Sequence, residues 1–169
     1  RTSWNLDNGA SIHWLPKGTL VATLGQSQSL MLHSEQSIQG LHLVTLNDFG
    51  FVPELWLAPA GARPVEEAWQ TGLRWTLARG AHSVSVDGYL RGMTQLLEFQ
   101  PGVNFDQGLN ELLGQDLAYG GRGAVYGVEV ASHHDWRRVT LDVAYAHGRS
   151  SRMFETLNGG RPFPFTFDI

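Results

Sequence analysis

The residues best suited to chemistry in this chain are the consecutive His133, His134 and Asp135. Two imidazoles and a carboxylate can bind a transition metal when they converge on one point. Successive side chains of a strand point to opposite faces of the sheet, so on a strand these two imidazoles diverge and cannot hold one ion together. We interpret the stretch as part of a turn, and we predict no metal site and no cofactor.

The other candidate sets indicate structure rather than catalysis. Gly120, Gly121 and Gly123 precede a predicted strand instead of a helix, so they do not indicate a phosphate-binding loop. Glu66, Glu67 and Glu98 fit charges at the rim of a strand better than an acid–base pair. The sequence therefore predicts a protein that is not an enzyme.

Composition narrows the class of protein. Charged side chains make up 17% of the 169 residues, fewer than the roughly 25% of soluble domains. The net charge is −4 and no basic stripe is present, which argues against a nucleic-acid partner. Cysteine is absent from the sequence, so a disulfide or a thiolate metal site cannot form. No stretch reaches the roughly 20 apolar residues of a membrane helix, whereas the strands of a membrane β-barrel are short and alternating.

Residues 71–93 show the clearest pattern, because apolar and polar side chains alternate on both sides of a turn at residues 79–81. This alternation predicts an antiparallel hairpin. One face of the hairpin would carry Leu73, Trp75, Leu77, Val84, Val86 and Leu90. The opposite face would be polar. In a soluble sandwich the apolar face packs on the protein's own core, and in a membrane barrel it faces lipid.

Six segments alternate in this way, and the connections between them differ in length. The segments are residues 4–15, 19–32, the two arms of 71–93, 124–134 and 138–148. Short turns at Pro16-Lys17-Gly18, Arg79-Gly80-Ala81 and Asp135-Trp136 alternate with long connections at residues 33–65 and 100–123. All long connections therefore leave the same side of the sheet, as in outer-membrane barrels and unlike most sandwiches.

Two further features favour the barrel over the sandwich. In the first segment Trp4 and Trp14 would stand about 25 Å apart, the height of the apolar band between aromatic girdles. Polar side chains occupy the predicted lumen-facing positions in the middle of the strands. These are Asp7, His13, Arg74, Asp87, Arg91, Glu129 and Asp142. Alternation alone would also allow these residues to form the solvated outer face of a sandwich.

Motifs along nearly the whole chain resemble the C-terminal part of the barrel of TonB-dependent outer-membrane receptors, especially those of Bacteroidota and related bacteria. Residues 123–129 are the most specific part, since they resemble the family's G-x-(A/S)-x-G-x-E strand. Residues 87–91 and 144–146 resemble neighbouring strands of the family, and residues 158–168 resemble its N-x-x-x-F-P ending. Residues 41–77 resemble the loop and strand that lie upstream.

The resemblance implies an all-β fold, an antiparallel transmembrane β-barrel segment with long extracellular loops and short periplasmic turns. We expect residues 1–169 to form one partial β-barrel domain of about six strands, with the plug domain and the remaining strands outside it. The family implies a bacterial outer-membrane transporter that imports a siderophore, cobalamin, an oligosaccharide or a peptide by loop capture and plug rearrangement. Its implied partners are the TonB complex acting through the plug, outer-membrane lipid, the nutrient and a surface lipoprotein.

Candidate ligand-binding residues lie in the long connections and on the predicted lumen face. They are His42, Asn47, Asp48, Trp56, Asn104, Asp106 and Tyr119 in the connections, with Asp87, Arg91 and Glu129 on the strands. For Glu129 we expect hydrogen bonds within the barrel or to the plug rather than direct ligand contact, because buried polar groups are usually satisfied locally.

Two other functions remain open from the sequence. A passive outer-membrane porin would show the same alternation but would have neither a plug nor a TonB-contacting segment. A soluble β-sandwich that binds carbohydrate would use Trp56, Trp69 and Trp75 as stacking platforms and would bury a closed hydrophobic core.

Overall fold

The computed structural model describes residues 3–5, 11–45, 54–57, 65–100 and 117–164. Within these ranges the chain forms β-strands and one short 3₁₀ turn at Asn158–Gly160. The strands are β1 (Ser3–Asn5), β2 (Ser11–His13), β3 (Lys17–Leu24), β4 (Gln28–Gln39), β5 (His42–Thr45), β6 (Glu54–Leu57), β7 (Glu66–Arg79), β8 (His82–Phe99), β9 (Leu117–Trp136) and β10 (Val139–Met153). In the described ranges no helix has the length and apolar character needed to cross a membrane.

Six strands form one antiparallel sheet in the order β10-β9-β8-β7-β4-β3. Two small ladders pair β1 with β2 and β5 with β6. The six-stranded sheet does not close on itself. The prediction of an all-β, antiparallel structure is confirmed.

Short and long connections alternate along the sheet, as the sequence predicts. Two or three residues join β3 to β4, β7 to β8 and β9 to β10, whereas residues 40–65 separate β4 from β7 and residues 100–116 separate β8 from β9. The first short turn lies at residues 25–27 and not at Pro16-Lys17-Gly18, because Lys17 and Gly18 already belong to β3.

The prediction of one continuous strand over residues 4–15 is wrong. Its ends form the separate strands β1 and β2, which pair antiparallel with Trp4 opposite Ile12. Trp4 and Trp14 therefore lie near the same end of this ladder, and the spacing of about 25 Å predicted from one continuous tilted strand does not apply.

The second predicted strand, residues 19–32, is also a hairpin. β3 and β4 pair from Lys17 opposite Glu35 to Leu24 opposite Gln28. The chain reverses at Gly25, whose φ of 71° is readily adopted only by glycine. The predicted long connection at residues 33–65 therefore begins later, since β4 continues to Gln39.

β9 is longer than predicted at both ends. It begins at Leu117, so Tyr119 lies in a strand and not in the preceding loop. At its other end His133, His134 and Asp135 still belong to the strand, and the turn follows at residues 137–138. The interpretation of these three residues as a turn is wrong, although the expected divergence of the two histidines is confirmed by their different partners, Asp142 and His82.

The chain comprises two compact units. Unit 1 contains Arg1–Ser37, Trp69–Arg91 and Tyr126–Gly148, and unit 2 contains Ile38–Ala68, Gly92–Val125 and Arg149–Ile169.

Unit 1 exposes an apolar sheet face and partly buries a polar one. The exposed apolar side chains include Leu20, Leu32, Leu73, Leu90, Tyr126, Val128, Leu141, Val143 and Tyr145. On that face hydrogen bonds from Thr71 to Ser34 and from Trp75 to Gln28 join β7 to β4. On the other face lie His33, Arg74 and Asp87, the one buried charged residue described.

Unit 2 contains a small hydrophobic core. Its buried members are Ala68, Met93, Leu96, Ala118, Phe154 and Leu157, and Val125 and Phe163 pack against them. After β10 the chain folds back, since Arg152 and Phe163 exchange two backbone hydrogen bonds of 2.8 and 2.9 Å. The Arg152 guanidinium pairs with Glu98 and lies 5.0 Å from the centre of the Phe163 ring.

Candidate functional site

An open groove of about 310 Å³ lies on the polar face of unit 1. Four strands supply its walls: β4, β7, β8 and β9. The lining residues are His33, Gln70, Arg74, Asp87, Tyr89 and Glu129. Because β7 alternates, Gln70 and Arg74 reach this face while Leu73 points away from it.

Arg74 and Asp87 form the central ion pair of the groove. Both Nε and Nη2 of Arg74 donate to Oδ2 of Asp87, each at 2.7 Å. The Asp87 side chain is only 11% exposed and that of Arg74 is 46% exposed. A buried carboxylate without a partner is strongly unfavourable, so these charge-assisted bonds offset much of the cost of removing Asp87 from water.

The second carboxylate oxygen of Asp87 faces His33. Asp87 Oδ1 lies 3.7 Å from His33 Nε2, which is beyond hydrogen-bond distance. Neither of these two buried atoms has a hydrogen-bond partner among the described residues. The imidazole also packs against the backbone of Gly72, where a methyl group would overlap it. His33 and Asp87 therefore leave polar atoms beneath the groove that Arg74 alone does not satisfy.

Tyr89 forms a wall of the groove by lying across two glycines. A Cβ atom at Gly127 would stand 2.7 Å from the Tyr89 hydroxyl oxygen, and one at Gly148 would stand 3.1 Å from it. The ring thus occupies the space that side chains at these two positions would take. Glu129 lies two residues beyond Gly127 in β9, on the same face.

A neighbouring depression of about 330 Å³ shares His33, Gln70 and Arg74 with the groove. Lys17 and Glu35 lie at its edge and form an ion pair of 2.9 Å. Their side chains are 75% and 39% exposed. This pair is a solvated one and contributes little to stability.

The groove is lined by hydrogen-bonding groups. One guanidinium and two carboxylates, with a tyrosine hydroxyl, an amide and an imidazole, suit a polar ligand that is neutral or cationic. Among its lining residues the Asp87 carboxylate is already paired with Arg74. In the described ranges no three or more His, Cys, Asp or Glu side chains converge on a possible metal position.

The structure brings some of the predicted site residues together and separates others. Asp87 and Glu129 line the groove. Arg91 follows on β8 and its Nε is buried without a hydrogen-bond partner in the described part of the chain. Tyr119 is half-buried in unit 2. His42 and Trp56 lie in β5 and β6, and Asn47, Asp48, Asn104 and Asp106 lie outside the described residues.

Sequence reasoning missed His33 and Gln70 as site residues. It placed Arg74 on the correct face but did not predict its ion pair with Asp87. The alternation of Met31, His33 and Glu35 with Leu30 and Leu32 could have extended the strand to include His33. The pairing of Arg74 with Asp87 depends on the register between β7 and β8, which the sequence leaves undetermined. Comparison of the chain with family models, with curated proteins and with solved structures found no match.

Proposed function

We propose that this chain contributes strands and surface loops to the wall of a TonB-dependent outer-membrane transporter. Such a protein would import a bulky, scarce nutrient (a siderophore, cobalamin, an oligosaccharide or a peptide), and the TonB complex would supply the energy through a plug domain. The support comes from the resemblance of the sequence and from the two faces of unit 1.

The observation that carries the proposal is the exposure of the apolar face of unit 1 opposite a polar face that buries Asp87. Leu73 is 49% exposed and Val143 is 52% exposed, whereas Asp87 is 8% exposed. In water this distribution is unfavourable, because burying a Val or Leu side chain stabilises a fold by about 1.5–3 kcal/mol. Lipid removes that cost, and a polar lumen suits the other face.

The connections between strands support the same proposal. The long connections after β4 and β8 leave the side of the sheet opposite the three short turns. Outer-membrane barrels place long loops outside the cell, where ligands are captured, and short turns in the periplasm. In this arrangement the groove lined by Arg74, Asp87 and Glu129 faces the lumen, where its hydrogen-bonding groups meet a passing polar nutrient.

Cysteine labelling on β10 tests which face meets lipid. The chain has no cysteine of its own, so V143C and A144C each add one thiol at adjacent exposed positions on opposite faces. In intact outer membranes we expect a water-soluble maleimide to label A144C and to spare V143C. Equal labelling of both thiols would rule out lipid contact and would favour a soluble sandwich.

Nutrient uptake distinguishes a TonB-dependent transporter from a passive porin. Cells that express the natural protein containing this chain would take up its nutrient only while TonB is functional. Uptake that persists after deletion of TonB would favour the porin, even if cysteine labelling confirms a membrane barrel.

A further inference from the structure

His82 and His134 face each other on neighbouring strands of unit 1. Their Nδ1 atoms lie 3.3 Å apart, and the ring centroids are 5.4 Å apart with the planes at 44°. Both residues are half-buried. His82 is the first residue of β8 and His134 lies near the end of β9, so the pair stands beside the short turns of the sheet.

Neighbouring groups hold the two imidazoles in place. The backbone N–H of Asp135 donates to the carbonyl of Ala81 at 3.0 Å, which fixes β9 against the start of β8. The Trp136 indole stacks on His134, with ring centroids 5.4 Å apart and planes at 20°, and it also contacts His82 at 5.5 Å. The two ring nitrogens are therefore positioned by strand pairing and by an aromatic neighbour.

The distance between the two nitrogens matches that of two ligands on one metal ion. Imidazole nitrogens bind Zn²⁺ at roughly 2.0–2.1 Å in tetrahedral geometry, which places two of them about 3.3 Å apart. When both rings are neutral, a single proton between the nitrogens can satisfy the pair. A divalent ion can replace that proton after small ring rotations that turn both lone pairs toward it.

We propose that His82 and His134 form a two-histidine site for a divalent transition metal, with Cu²⁺ bound most tightly. Imidazole ligands suit copper, nickel and zinc, and Cu²⁺ leads the usual order of affinities. With two protein ligands the ion keeps open positions for water or for a group from another molecule. The site lies apart from the groove of Arg74 and Asp87, and it requires neither lipid nor TonB.

His133 provides a matched control for this proposal. It is adjacent to His134, but its Nδ1 lies 2.6 Å from Oδ1 of Asp142 and the two neighbouring imidazoles point to opposite faces. An alanine at position 133 therefore removes one histidine from the same strand and leaves the proposed pair intact.

Copper titration of the natural protein that contains this chain tests the site. We expect H82A and H134A each to weaken Cu²⁺ binding by at least about tenfold, since loss of even a supporting group costs metal sites that much, and H133A to leave the affinity unchanged. The double variant H82A/H134A should lose no more than either single variant loses, because one remaining imidazole no longer chelates. Equal affinity in wild type, H82A and H134A would overturn the proposal, as would equal weakening by H133A.

Electron paramagnetic resonance of the Cu²⁺-loaded wild-type protein gives a second readout that does not depend on any variant folding. The proposal requires hyperfine splitting from two imidazole nitrogens. A spectrum without nitrogen coupling, or the absence of Cu²⁺ binding, would show that the pair shares only a proton.

Discussion

Units 1 and 2 differ in which side chains they bury and which they expose. In the described ranges every buried hydrophobic side chain belongs to unit 2, and every strongly exposed large one except Leu41 belongs to unit 1. Unit 2 covers its apolar residues with the segment after β10, whereas unit 1 buries Asp87 and leaves leucines and valines uncovered. Strand alternation alone therefore does not determine which face is buried.

The largest expected effect is on unit 2. Phe154 is 2% exposed and packs in the core of that unit, so F154A should destabilise the natural protein by about 3–5 kcal/mol. L141A on the exposed face of unit 1 should cost much less, because that side chain has little protein contact to lose. The midpoints of urea unfolding curves would measure both losses of stability, provided that the variants keep the slope of the wild-type curve. Similar losses in the two variants would show that the units are packed alike.

The next effect separates lipid from water at the exposed face of unit 1. If that face lies in the bilayer, V143K should destabilise the folded protein by about 2–4 kcal/mol, whereas on a surface in water it should change stability by no more than about 0.5 kcal/mol. A144K is the control, since it places the same charge one residue away on the polar face. The free energy of unfolding of each variant, measured in lipid vesicles, decides between lipid and water at this face. Equal free energies for V143K and A144K would contradict the proposed orientation.

The smallest expected effect concerns the ion pairs of unit 1. R74M leaves the buried Asp87 carboxylate without its partner and should cost about 2 kcal/mol, less than a fully buried pair because Arg74 is half exposed. K17M removes one member of a solvated pair and should cost under about 1 kcal/mol. Adding D87N to R74M should recover part of the loss, since no buried charge remains. A cost for K17M as large as that for R74M would show that burial of Asp87 does not matter.

The sequence allowed much of the sheet to be predicted and less of the groove. Alternation identified β7, β8 and β10 and placed Arg74, Asp87 and Glu129 on one face, because the strand period depends only on local geometry. Residues 4–15 and 19–32 each contain a chain reversal that the alternation does not reveal, because the apolar–polar period can continue from one paired strand into the next. His33 joined the groove only through pairing of β4 with β7, a contact between distant parts of the chain that no local pattern specifies.

The position of Tyr89 across Gly127 and Gly148 has a consequence for how this protein can evolve. A Cβ atom at Gly148 would stand 3.1 Å from the tyrosine hydroxyl oxygen, a tight contact, so positions 89 and 148 cannot change independently. A smaller residue at position 89 would free position 148, whereas a Cβ atom at position 127 would still stand 2.7 Å from the backbone carbonyl oxygen of His147. Related sequences should therefore keep glycine at 127, and they should carry a side chain at 148 only where position 89 holds a residue smaller than tyrosine.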